Sequence, residues 1–216
     1  MARKLMIGGK SGVSQAAEGL AYALARRARR VLLLTEATLQ TPFLLKDAIE
    51  GRCRLKQALW QDKVCPSFFA LSVSGMAAEA VRWAIEKSDA LYDYLFVPEG
   101  RAPKGCCDEA IVVATPQYPS VQYAEVLAER AKQYNAVHVL ITGYDALSAS
   151  QGKQMDVFEV FACIGGKRLG VIPQCKTGKE GYFDLIAANL HNGTATLPDR
   201  IFLKGRKTSS RFLNRV

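Results

Sequence analysis

Lys4-Leu5-Met6-Ile7-Gly8-Gly9-Lys10-Ser11-Gly12-Val13-Ser14-Gln15-Ala16-Ala17 is the stretch whose reading decides the fold of this chain. A short apolar run, Lys4–Gly8, ends in paired glycines. Ala17, Leu20, Ala21, Leu24 and Ala28 then recur at helical spacing, with arginines on the other side. The order is strand, glycine-rich turn, helix. In an α/β sheet such a turn faces the ligand. The turn reads equally well as a purely structural element or as a cradle of backbone N–H groups for phosphate.

Outward from this turn the pattern repeats. Val31–Leu34 is a four-residue aliphatic block, too short for a helix and suited to a strand covered on both faces. Phe68–Val73, Tyr94–Val97, Ile111–Ala114, Val137–Thr142 and Arg168–Ile172 read as further strands. Helices are expected over Phe43–Ile49, Leu55–Trp60, Met76–Lys87, Val121–Tyr134, Met155–Phe161 and Tyr182–Leu190. This alternation implies parallel pairing through crossovers: a doubly wound, mainly parallel α/β sheet flanked by helices. Residues 1–196 are expected to form one domain, and 197–216 a basic tail.

Composition narrows the class. The chain has 216 residues, 49% hydrophobic and 23% charged, which excludes a disordered or fibrous protein. No apolar run approaches the roughly 20 residues of a membrane span, and the start lacks a secretory pattern, so a cytoplasmic location is expected. Twenty-nine basic against 20 acidic residues give a net charge of +9. Arg26, Arg27, Arg29 and Arg30 form one cluster. Arg200, Lys204, Arg206, Lys207, Arg211 and Arg215 crowd the tail, which favours anionic partners. Six cysteines form no CxxC pair and only two histidines accompany them, so no metal site is expected. Cys106-Cys107 reads as an ordinary adjacent pair.

The order of segments resembles the MinD/ParA family of deviant Walker ATPases, with the MinD branch the nearest. Gly9–Val13 with Lys10 matches the start of the family's G-K-G-G-V-G-K-T loop. Asp108-Glu109-Ala110-Ile111, with Thr115-Pro116 and Ser120-Val121, resembles its "DEAI…T.P…SV" segment. Val139–Asp145 resembles its "LLLTRYN" strand, and Leu169-Gly170-Val171-Ile172-Pro173 its "LVGVIP" strand. The likeness covers about residues 3–190.

The resemblance implies a P-loop NTPase-like fold, ATP binding, face-to-face dimers and a deviant lysine at Lys10. It assigns nucleotide contacts to Gly9, Lys10, Ser11, Gly12, Val13, Ser14, Gln15, Ala16 and Asp145. The chemistry, however, is depleted. Gln15 stands at the position of the phosphate-gripping lysine and Ala16 at that of the Mg²⁺-binding hydroxyl. Leu34 replaces the first acidic residue after the second strand, although Glu36 keeps the next. Pro98 replaces the Walker B aspartate, with Glu99 one step further. Phosphoryl transfer depends on positioning and charge neutralisation, so these losses together predict no ordinary hydrolysis. Lys10 and Glu36 are the residual catalytic candidates. ATP or ADP is expected to bind weakly, with Mg²⁺ poorly held.

The tail carries Phe202, Leu203, Phe212 and Leu213 among Lys204 and Arg211, as in a segment lying on an anionic membrane, a peripheral location. Nucleic acid is the less favoured partner. The leading expectation is a MinD-like pseudo-ATPase that binds partners or positions a septum or an envelope machine, as a homodimer or a heterodimer with an active relative. The alternatives are a weak or partner-activated ATPase and, lower, a metal chaperone using Cys106 and Cys107.

Overall fold

The computed structural model describes residues 1–174 and 179–197. In chain order the elements are β1 (Arg3–Gly8), α1 (Val13–Arg26), β2 (Val31–Thr35), α2 (Leu45–Ile49), α3 (Leu55–Ala58), β3 (Trp60–Gln61), β4 (Phe68–Ser72), α4 (Ala78–Ser88), β5 (Tyr94–Pro98), β6 (Glu109–Ala114), α5 (Tyr118–Arg130), β7 (Ala136–Tyr144), α6 (Ala146–Ser150), α7 (Val157–Ile164), β8 (Lys167–Pro173) and α8 (Glu180–Asn192). They build one eight-stranded sheet in the order β3-β4-β2-β5-β1-β6-β7-β8. Every pairing is parallel except that of β3 with β4. The expected doubly wound sheet is the observed one.

Two apolar cores sandwich the sheet. Leu20 and Leu24 of α1 and Phe183, Ile186 and Leu190 of α8 pack on one face against Leu5, Ile7, Leu33 and Phe96. Val81 and Ile85 of α4, Val121 and Leu127 of α5, and Val157 and Phe161 of α7 cover the other. Leu5, Leu32, Leu34, Leu95 and Ile111 have no exposed surface, which explains their unbroken aliphatic runs. Where α1 crosses α8, any side chain at Gly19 would enter the Phe183 ring. Burying each such leucine or phenylalanine contributes about 1.5–3 kcal/mol.

Several sequence expectations need correction at element ends. Trp60 is a strand residue, paired with Ala70 in the antiparallel edge, and the helix before it stops at Ala58. The helix expected from Val121 starts at Tyr118, with Pro119 in its first turn, where a missing N–H costs nothing. It ends at Arg130, before a tighter turn at Ala131–Gln133. The helix expected from Met155 starts at Val157, because the Asp156 side chain accepts from the Phe158 N–H at 2.8 Å. The tail from residue 198, including Phe202, Leu203, Lys204, Arg211, Phe212 and Leu213, lies outside the described residues.

The arginine cluster is largely committed within the fold. Arg26 pairs with Asp184 at 2.9 Å, Arg27 donates to the Asp184 carbonyl, and Arg30 lies over the Tyr92 ring. These contacts tie α1 to α8 and to the start of β5.

Candidate functional site

The sheet order places a topological reversal at its centre. The chain leaves β1 towards β2 on one side and returns through β5 to β6 on the other. Ligands of open α/β sheets bind beyond the strand ends at such a reversal. Gly8-Gly9, Pro98-Glu99 and Ala114-Thr115 meet there.

The β1–α1 turn is shaped by close approach. A side chain at Gly9 would collide with the Val113 carbonyl of β6. Gly12 caps α1 in the left-handed conformation, at φ 74° and ψ 2°. A Cβ on Gly12 would lie 2.6 Å from Thr142 Oγ1 of β7. That Thr142 hydroxyl is buried and finds no hydrogen-bond partner among the described residues. The helix has neither a side-chain cap nor an acid in its first turn. The N–H groups of Val13, Ser14 and Gln15 precede the first α-helical bond, which Ala16 makes to the Gly12 carbonyl at 3.0 Å. The positive end of the helix dipole is therefore open.

A cleft of about 250 Å³ adjoins this helix start, lined by Gly8, Gly9, Val13, Ser14, Glu18, Thr35, Glu36, Pro98 and Glu99 among others. Gly9, Val13, Ser14 and Glu36 thus line one cleft. The side-chain chemistry differs from that of a phosphate grip. Gln15 faces away from the cleft, with its amide oxygen 3.5 Å from Lys179 Nζ. Ala16 is fully buried in the core beneath α1, with no room for a larger side chain without rearrangement. Glu36 forms an ion pair with Arg101 at 2.5 Å. Glu99 turns its carboxylate over Gly8, so closely that a Cβ at Gly8 would run into it. Tyr123 donates its hydroxyl to Glu99 Oε1 at 3.0 Å, which raises the phenol's pKa above its ordinary value.

The cradle therefore fits an anion in its backbone and not in its side chains. It offers open N–H groups but three carboxylates, and among the described residues no lysine lines it. Ala16 has no oxygen to offer a Mg²⁺ ion, and the side-chain oxygens lining the cleft are those of Ser14, Glu18, Thr35, Glu36 and Glu99. Lys10 and Ser11 are exposed on the outer turn, with Ser11 Oγ 3.3 Å from Thr115 Oγ1. Asp145 stands apart from the cleft. Its carboxylate caps α6, accepting from the Leu147 and Ser148 N–H groups at 3.2 and 3.3 Å and from Ser148 Oγ at 2.6 Å. Burial pushes the Cys107 thiol up to about 12.

Sequence reasoning named Glu99 only as a substitute for Pro98 and missed Tyr123, Arg101, Thr142 and Lys179. Thr142 and Lys179 come from strand and helix ends remote in the chain, and nothing local marks them.

No protein-family model matches the chain. It is 27% identical over 235 aligned positions to a putative septum site-determining protein MinD of Emiliania huxleyi, covering 95% of this chain and 84% of that one. Three further MinD relatives are matched over only 53–62% of their own length. The MinD subunit fold in the MinC:MinD cell division complex of Aquifex aeolicus superimposes with a TM-score of 0.79 at 18% identity, over 91% of this chain and 98% of that chain. A cobyrinic acid a,c-diamide synthase from Mycobacterium smegmatis, with bound ADP and magnesium, superimposes with a TM-score of 0.67 at 16% identity, over 91% and 98%.

Proposed function

Because this chain belongs to the MinD/ParA family of ATPases, we propose that it is a degenerate member, a pseudo-ATPase that works by binding partners rather than by turning over ATP. The observation that carries this reading is the Glu99 carboxylate standing over Gly8 where the loop would receive a phosphate. An anion entering there meets like charge from Glu99, Glu36 and Glu18. The lysine that would offset this is replaced by Gln15, which supplies no positive charge. Hydrolysis needs neutralisation of developing charge on the phosphoryl oxygens, and Ala16 removes the metal's protein ligand as well. Lys10 is the one cation of the turn itself, and it remains available for weak anion contact.

The relatives are named as septum site-determining proteins, and the Aquifex neighbour was solved with MinC. By extension, this chain acts in positioning or division through a protein partner, as a homodimer or as a heterodimer with an active relative. The tail, 197–216, is its membrane contact on sequence grounds: Phe202, Leu203, Phe212 and Leu213 supply apolar burial, and each nearby cation about 1 kcal/mol at an anionic surface. Vesicle sedimentation of the full chain against a form ending at Thr196 tests this. Equal binding by both would remove the membrane.

The decisive assay for the central reading is ATP and ADP binding with and without Mg²⁺, followed by turnover on the same sample. Weak, Mg²⁺-independent binding with no turnover above background is expected. Steady turnover abolished by Lys10→Ala would overturn the reading.

A further inference from the structure

Next to the phosphate cleft, further along α1, lies a larger trough of about 530 Å³. We infer that this trough is a binding site for a small, uncharged, ring-bearing ligand. Its floor is the β2–β4 part of the sheet, with Leu33, Phe68 and Ala70. Tyr22 of α1, Trp60 of the edge strand β3 and Phe183 of α8 form its walls, and Ala37 stands at its mouth.

Three observations carry the inference. The volume falls within the roughly 300–1,000 Å³ of small-molecule sites, whose linings are mostly apolar with a few polar groups. The rings are arranged rather than scattered: Tyr22 and Trp60 each meet Phe68 edge-to-face, with centroids 6.1 and 6.0 Å apart. Tyr22 and Trp60 are only half-buried, so a planar guest can join the same edge-to-face set. The charge decides the class. The rim carries Arg26 and Lys179 against Glu18 and Glu180, two charges of each sign, with Arg26 Nη1 3.9 Å from the Glu180 carboxylate. A balanced rim gives no net attraction to an anion or a cation, while an uncharged ring gains the apolar burial without leaving a charge unpaired.

The site touches the phosphate loop. Glu18, Leu33 and Thr35 line both the trough and the phosphate cleft, and Gln15 lies at the trough's upper end. Occupancy is therefore placed to act on the helix that carries the loop.

Two probes with one ring skeleton test the class: uncharged N-phenyl-1-naphthylamine and anionic 1-anilinonaphthalene-8-sulfonate. In the full chain carrying Trp83→Phe, Trp60 is the only tryptophan and reports directly. The uncharged probe is expected to bind one per chain and quench Trp60, with the sulfonate at least tenfold weaker. Ala37→Phe, at an exposed position, is expected to weaken the uncharged probe at least tenfold with the thermal midpoint unchanged; Tyr22→Ala is a second, independent lesion. Equal or tighter binding of the sulfonate, binding that leaves Trp60 emission unchanged, or no saturable binding would overturn the inference. So would binding that appears only after Phe202, Leu203, Phe212 and Leu213 are changed to serine, since the trough would then belong to the chain's own tail.

Discussion

The two ends of the central sheet treat charge in opposite ways. At the lower end, where β1, β6 and β7 begin, Glu109 accepts from Arg3 Nε and Nη2, each at 2.6 Å, and from His138 Nε2 at 2.5 Å. Arg3 also donates to the Leu190 carbonyl at the end of α8. Arg29 donates to His191 Nε2 at 3.0 Å, leaving Nδ1–H to donate to Tyr94 Oη at 2.8 Å. At the upper end, the helix N–H groups stand open, Thr142 has no partner among the described residues, and Glu99 leans on a glycine. The lower end spends its ionic groups on joining β1, β6, β7 and α8. The upper end combines open backbone N–H groups with the carboxylates of Glu18, Glu36 and Glu99. Mutating a charge should therefore cost stability below and alter ligand binding above.

The largest effect is expected from Glu109→Ala. It leaves the Arg3 guanidinium without its counter-charge and His138 Nε2 without its acceptor in a largely buried setting. The loss should be about 2–4 kcal/mol, scaled down from a fully buried pair because Arg3 is 27% exposed. Urea unfolding measures it; a loss under about 0.5 kcal/mol would erase the contrast between the ends.

Gly12→Ala comes next. The left-handed cap costs a residue with a Cβ about 1–2 kcal/mol, and the approach of Thr142 adds to that. Comparison with Gly105→Ala, also at positive φ but in open space, separates the conformational cost from the contact.

The lower network also predicts acid sensitivity. Burial holds His138 below its ordinary imidazole value of about 6.5, against the pull of the Glu109 carboxylate. The unfolded chain then binds the proton first, so stability is full above about pH 6.5 and falls as pH drops through the folded value. Glu109 is pushed up by burial but held below its usual range on balance by Arg3 and His138. Its contribution is lost in the same direction, at lower pH. His138→Gln should flatten the upper part of this slope in unfolding measured from pH 8 to 4.

The smallest stability effect belongs to Glu99→Ala, about 0.5 kcal/mol, because the half-buried carboxylate gives up one hydrogen bond, from the largely exposed Tyr123. It should nonetheless raise affinity for inorganic phosphate or ADP. Unchanged affinity would show that the carboxylate does not guard the loop.

Seven of the eight strands were legible because buried parallel strands are unbroken aliphatic runs, as in Val31–Leu34 and Ile111–Ala114. The two-residue strand at Trp60 was not, because so short an edge has no period and its ladder partner lies beyond a turn. The Gly9–Ala16 loop could be found and its missing lysine counted. The reach of Glu99 to Gly8 could not, since it depends on β5 inserting beside β1. The pairing of Gln15 with Lys179 likewise spans 164 residues. At Asp145 the ordinary chemistry of an aspartate before a helix is legible in the sequence, and its carboxylate caps α6.

Titration of ATP into the wild-type chain, Gln15→Lys, Glu99→Ala and the double variant, each with Mg²⁺ and each followed for phosphate release, tests the central claim most directly. Gln15 is exposed, so the lysine can be added without repacking the core. The account predicts weak wild-type binding, affinity rising in each single variant and most in the double one, and no turnover in any. Mg²⁺-dependent turnover by the wild-type chain, lost in Lys10→Ala, would contradict it.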